Sequence, residues 1–256
     1  MNDERLVHIN SSYKTSGTNT NFLINYNNAL HLQNAKYVRL RCITVPNMFY
    51  NIYGNTRFLY VEQSGIIYTI EIPSGNYTAT SLCTALNNAT ATPPGIDPIT
   101  VTYADGKFTY TAGTATIVLG YINSTTYSGN ARTMNLIMGQ NAVNDTADLV
   151  TTSTYPPALF GPTKLYIASD RLAFGYSVHA NGLLHSKMGS ISLAGVPYGS
   201  VAFMIVPERA NTQVYFRDNR QVNNIDIEIL DEYDANVELP PNANIDIELI
   251  IGFADF

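Results

Sequence analysis

The stretches IDIEIL (225–230) and IDIELI (245–250) decide how this chain folds. Each alternates an aliphatic residue with an acid. Successive side chains of a strand point to opposite faces, so Asp226 and Glu228 share one face while Ile225, Ile227 and Ile229 share the other. The same rule sets Asp246 and Glu248 against Ile245, Ile247 and Leu249. Burial of the aliphatic face fixes the register, because a one-residue slip would bury the acids instead. Both stretches therefore read as late strands of one sandwich, joined by DEYDANVELPPNAN (231–244) with a further short strand near Val237.

The period of two extends through the rest of the chain. LVHIN (6–10), FLINY (22–26), YVRLRCITV (37–45), RFLYVE (57–62) and IIYTIEI (66–72) read as strands. So do ITVTY (99–103), KFTYT (107–111), ATIVLG (115–120), KLYIAS (164–169), SISLAGV (190–196) and VAFMIV (201–206). Asp105-Gly106 is a two-residue hairpin turn, and Gly54, Gly65 and Gly199 mark other turns. Two segments read as helix. In TATSLCTALNNA, Ala79, Leu82, Cys83 and Leu86 recur at helical spacing behind a threonine able to cap; ARTMNLIMG (131–139) is shorter. TSTYPPALFGPT (152–163) reads as a surface loop. About a dozen short strands with so little helix imply an all-β antiparallel sandwich, a jelly roll in particular, or a closed barrel.

Composition narrows the function. The 256 residues contain 13% charged side chains but 27 Asn, 26 Thr and 18 Tyr, which suits strands joined by tight turns and a surface covered by neighbours. No run of 18 apolar residues occurs, so no membrane span is expected. The opening MNDERLVHINSSYK lacks the basic-then-apolar form of a signal peptide, so secretion by that route is not expected. Two cysteines, Cys42 and Cys83, read as small core residues in a reducing compartment. All 14 Lys and Arg lie at or before Arg220. Residues 1–220 hold 11 acids, a balance of +3, while the last 36 residues hold nine acids and no base. A chain with net charge −6 and no basic block is a poor fit to nucleic acid.

Catalytic motifs are missing from the sequence: there is no G-x-S-x-G, P-loop, H-E-x-x-H or C-x-x-C. His8, His31, His179 and His185 are scattered, and the chain lacks the H-x-H of metal-holding jelly-roll enzymes. The expectation is therefore a non-enzyme without a cofactor. The sharpest candidate site is the acidic pair of strands. Side by side in one sheet, Asp226, Glu228, Asp246 and Glu248 would crowd four carboxylates on one face, which is unfavourable unless something offsets them. Three readings stay open: a solvated polar face; a basic surface on an adjacent subunit, with Lys36, Arg39, Arg41, Arg217 and Arg220 as donors; or a metal such as calcium. The tyrosine-rich loops GYINSTTYSGN and PNMFYNIYGN read as loop-anchoring or interface aromatics before sugar-stacking ones.

Several motifs resemble a known family. VRLRCITVPNMFYNI (38–52) is similar to a strand running into an I-P-N-x-[FY] element. IIYTIEIPSGNYTATSLCTALNNA (66–89) is similar to a strand followed by I-P-x-G-N-Y-T and a helix. ITVTYADGKFTYTAGTATIVL, MNLIMGQ, KLYIASDRL, VPYGSVAFMIV and IDIEILDEYDANVEL complete the order. From about residue 5 to 251 the chain resembles the single jelly-roll penton, or minor capsid, proteins of virophages, polinton-like viruses and related double-stranded DNA viruses. Gln140 and Asn236 depart from the family's usual aromatic and Gly.

The resemblance implies a single jelly-roll domain over 1–256. Residues from about 73 to 162, more helical and loop-rich than their flanks, read as an elaboration inserted between its strands. The resemblance also implies a structural protein forming homopentamers at the fivefold vertices of an icosahedral virion, synthesised in the host cytoplasm. Expected partners are itself, a double jelly-roll major capsid protein and a host-surface receptor at the outer tip. A jelly-roll carbohydrate-binding module, calcium-dependent or not, is the alternative.

Overall fold

The computed structural model describes residues 4–26, 32–90, 95–119, 133–140, 148–172, 177–178, 184–185, 187–206 and 214–253; for 32–33, 177–178, 184–185 and 217–221 it describes the backbone. His31, His179 and the GYINSTTYSGN loop lie outside the described residues, as do the side chains of His185, Arg217 and Arg220.

The strands begin with β1 (Glu4–Asn10), β2 (Ser16–Gly17), β3 (Asn21–Asn25), β4 (Leu32–Pro46), β5 (Phe58–Gln63) and β6 (Ile66–Glu71). After helix α1 (Ala79–Thr90) come β7 (Ile99–Ala104), β8 (Lys107–Ala112) and β9 (Ile117–Val118). Helix α2 (Met134–Ile137) precedes β10 (Val150–Thr152), β11 (Lys164–Ala168), β12 (Ser177–Val178), β13 (Leu184–His185) and β14 (Lys187–Ser192). The chain closes with β15 (Val201–Ile205), β16 (Val214–Val222), β17 (Asn224–Leu230) and β18 (Asp246–Phe253). They divide into two compact units, Met1–Phe49 with Pro162–Phe256, and Tyr50–Gly161.

The first unit is a jelly roll. One sheet runs β1-β18-β4-β15, with β16 continuing the β15 side of β4; the other runs β14-β11-β17-β3-β2. Counting β1, β3, β4, β11, β14, β15, β17 and β18 as first to eighth, the sheets read 1-8-3-6 and 2-7-4-5. That order, antiparallel throughout, is the eight-stranded double Greek key. Its core is the aliphatic side of the alternating strands: Ile9, Leu40, Ile43, Leu165, Ile227 and Ile247 are wholly excluded from solvent. Each buried aliphatic side chain is worth roughly 1.5–3 kcal/mol, which is what locks these registers.

IDIEIL and IDIELI obey the expected rule, with Ile225, Ile227, Ile229, Ile245, Ile247 and Leu249 buried and the acids on the outer faces. They are not neighbours, however. β17 lies in one sheet and β18 in the other. The residue between them that reads as a short strand, Val237, is buried, and the adjacent Asn236 makes a single bridge to Leu230.

The second unit has its own core. Its sheets are β6-β5-β9 and β10-β8-β7. Thr78 caps α1 reciprocally: its hydroxyl accepts from Ser81 N at 3.2 Å while the Ser81 hydroxyl accepts from Thr78 N at 2.9 Å. The helix turns Leu82, Cys83 and Leu86 onto Val61, Val101, Phe108 and Tyr110. Ser64-Gly65 and Asp105-Gly106, all at positive φ, close the β5–β6 and β7–β8 hairpins. This unit starts at Tyr50, whereas the sequence reading starts the elaboration at 73. β5 pairs with β6 on one side and β9 on the other, and neither β5 nor β6 joins a jelly-roll sheet.

β16 is the longest strand that the alternation does not reveal; the short β2, β10, β12 and β13 are missed as well. The ladder of β16 to β4 slips between Tyr215 and Arg220 and again between Arg220 and Val222, so no period of two survives in VYFRDNRQV.

Candidate functional site

The outer face of the β1-β18-β4-β15 sheet brings acidic, basic, thiol and apolar side chains together. Cross-strand pairing arranges them in rows. One row runs Phe203, Thr44, Asp246, Asn10; the next runs Ile205, Cys42, Glu248, His8. Together with Arg41, which a bulge after Leu40 places beside Cys42, most of these residues line an open groove of ≈ 280 Å³.

The acids of β18 find their donors inside the chain. Glu248 accepts from Arg41 Nη1 at 2.9 Å. Asp246 accepts from the Asn10 amide and lies 3.9 Å from His8 Nε2. Neutral or basic residues on the flanking strands thus face each carboxylate, which removes the like-charge penalty. The Cys42 thiol is pushed up by burial and then by its hydrogen bond to Glu248.

Farther along the same face, Glu4 accepts from the Tyr37 hydroxyl and approaches Arg39 Nη2 at 3.5 Å. Burial, reinforced by Glu4, pushes Tyr37 up to about 12. Tyr37 packs on Tyr215 with ring centroids 5.5 Å apart and covers Gly252, where a Cβ would sit 2.2 Å from the ring. Arg39 is buried there and directed at Glu4, and Lys36 is exposed.

The acids of β17 do different work in the other sheet. Asp226 accepts from Ser169 Oγ at 2.7 Å, Asp170 N at 2.9 Å and Arg171 N at 3.0 Å, so it holds the turn that ends β11. Glu228 accepts from Asn21 Nδ2 at 3.2 Å. The four carboxylates named from the sequence are therefore split between two sheets and cannot make one four-carboxylate metal site. Among the described residues no group of three or more His, Cys, Asp or Glu is placed to hold a metal ion. Of the basic candidates, the structure brings Arg41 to a tail acid within the chain.

The apolar half of the groove is the part that the sequence reading passed over. Val201, Phe203 and Ile205 point outward and are 61%, 60% and 63% exposed, whereas Ala202 between them is buried. A signal was present: a strand with one solvated face should alternate with polar residues, and VAFMIV does not. An apolar outward row on a sheet edge marks a surface that another molecule covers.

No family model and no curated protein sequence matches the chain. Among solved structures it is similar to the crystal structure of the selenomethionine-labelled mavirus penton protein, at 11% identity and a TM-score of 0.46 over 98% of this chain and 100% of that one. Strand order and antiparallel pairing by themselves make the first unit a jelly roll.

Proposed function

We propose that this chain is a structural capsid subunit, without catalytic activity, whose copies form homopentamers at the fivefold vertices of an icosahedral virion. The observation that carries this reading is that, among the described residues, β15 is an edge strand of the jelly roll whose outward side chains, Val201, Phe203 and Ile205, are apolar and more than half exposed. Isolated domains blunt such edges with charge, proline or bulges; subunits of an assembly leave them for a neighbour. The ordered motifs from VRLRCITVPNMFYNI to IDIEILDEYDANVEL, which resemble penton proteins, support the same reading. On it, a double jelly-roll major capsid protein surrounds the pentamer. The inserted unit, Tyr50–Gly161, takes the outward, receptor-facing role.

Negative-stain imaging and native mass spectrometry of the purified chain test the proposal. Rings of five 28.1 kDa copies are expected, alone or on co-expression with the major capsid protein of the same virus. A chain that stays monomeric under both conditions overturns it.

A further inference from the structure

Resting on that reading of a closed ring, we infer which surfaces make the ring: β15 of one copy adds as a strand to β1 of the next. Among the described residues both strands are edges of the same sheet. In the β15–β4 ladder, Asn47 N donates to Ser200 O and Val206 N donates to Arg41 O, at 2.7 and 2.8 Å. Ladder bonds recur at every second residue, so Ala202 and Met204 also bond inward, to Val45 and Ile43. The N–H and C=O groups of Val201, Phe203 and Ile205 then point away from the sheet. On the opposite edge, Ser11 N donates to Ile245 O at 3.0 Å, which sets Ile9, Val7 and Arg5 as the residues bonded to β18. Leu6, His8 and Asn10 direct their backbone groups away from it.

The two free edges match in three respects. On each, the residues with free backbone groups are also the ones with outward side chains, so pairing continues one sheet face without a break in the pleat. The four strands alternate in direction, so β15 and β1 run oppositely. A second copy turned about an axis along the strands therefore presents β1 antiparallel to β15. The side chains are also compatible. β15 carries no charge, proline or bulge, and Leu6, 54% exposed, is the apolar residue available to Phe203 and Ile205. One patch meets a different patch, the head-to-tail contact that cyclic rings need. Pairing of β15 with β15 would instead require a two-fold axis and stop at a dimer.

The test uses the full chain with Cys42→Ser, so that the groove carries no native thiol; Cys83 is buried in the second unit. Leu6→Cys combined with Ile205→Cys, treated with a short bis-maleimide, should give a ladder of linked copies up to five, with the 6–205 link identified by peptide mass. Phe203→Asp should abolish rings while the circular dichroism spectrum is retained. Rings that survive Phe203→Asp and yield no 6–205 link overturn this inference and leave the pentamer reading standing. Links formed by Ile205→Cys alone show two-fold pairing and overturn the inference. Absence of both rings and links, for the chain alone and on co-expression with the major capsid protein, overturns the two together.

Discussion

Glu248 accepts a hydrogen bond from Arg41 at 2.9 Å across β18 and β4, so the acid that the sequence offers to a neighbour is already engaged within its own chain. Both side chains keep substantial solvent contact, 27% and 48% exposed, and pairs of this kind contribute little. A double-mutant cycle of Arg41→Ala and Glu248→Ala, read by urea denaturation, should give a coupling of about 0.2–1 kcal/mol that shrinks in high salt. A coupling several times larger would show that the pair is a fold determinant.

Asp226 belongs to the fold. Its carboxylate satisfies one hydroxyl and two backbone donors of the turn after β11. Asp226→Ala leaves those donors without their acceptor and should cost about 2–3 kcal/mol. Glu228→Ala, on the same face of the same strand, should cost about 1 kcal/mol or less. Charge reversal at Asp226 consequently reports on folding rather than on assembly, and Glu248→Lys is the better probe of an interface. Equal losses for Asp226→Ala and Glu228→Ala would contradict this division.

The sequence reveals what period-two burial controls. Ile225 to Ile229 and Ile245 to Leu249 are inward because six apolar side chains have one dry face to share, and no other register accommodates Asp226 and Glu248. Which sheet each strand joins is not local information. β17 and β18 carry nearly the same hexapeptide yet lie in opposite layers, because the partners β3 and β4 that receive them are about 200 residues away in the chain. The residues that face the acids are equally non-local, His8 and Asn10 coming from the first strand. β16 stays hidden because two slips in its ladder erase the alternation.

The Cys42 thiol should be sluggish. Burial and hydrogen bonding to Glu248 both favour its protonated form, and the thiolate is the species that reacts. Labelling by iodoacetamide at neutral pH should be slower than that of free glutathione and should accelerate in Glu248→Gln, which removes the neighbouring negative charge. Unchanged kinetics in that variant would show that Glu248 does not govern the thiol.

Asp97 supplies a pH dependence confined to the second unit. Its carboxylate accepts from the backbone N–H groups of Thr114 and Ala115, and these bonds hold it below the usual aspartate range. A folded-state value below the unfolded one stabilises the fold at pH above about 4 and loses that contribution as pH falls through the folded value. The Thr114 and Ala115 amide resonances should therefore shift with a midpoint below pH 4, and Asp97→Asn should abolish the transition. A midpoint at or above the ordinary aspartate value would remove the carboxylate from this role.

Gly189 on β14 faces Leu40 on β4 across the two sheets. A Cβ at Gly189 would come within 2.6 Å of Leu40 Cδ2, and Leu40 is wholly buried. Gly189→Ala must therefore drive Leu40 out of its place in a packed layer, at a cost of about 1–3 kcal/mol. Leu40→Val withdraws the colliding methyl and costs about 0.5–1.5 kcal/mol by itself. Because the two residues occupy the same space, the double variant should be more stable than the sum of the single losses by at least about 0.5 kcal/mol. Urea denaturation of the four proteins measures this. Strict additivity would show that the sheets separate to admit the methyl, rather than Leu40 moving aside.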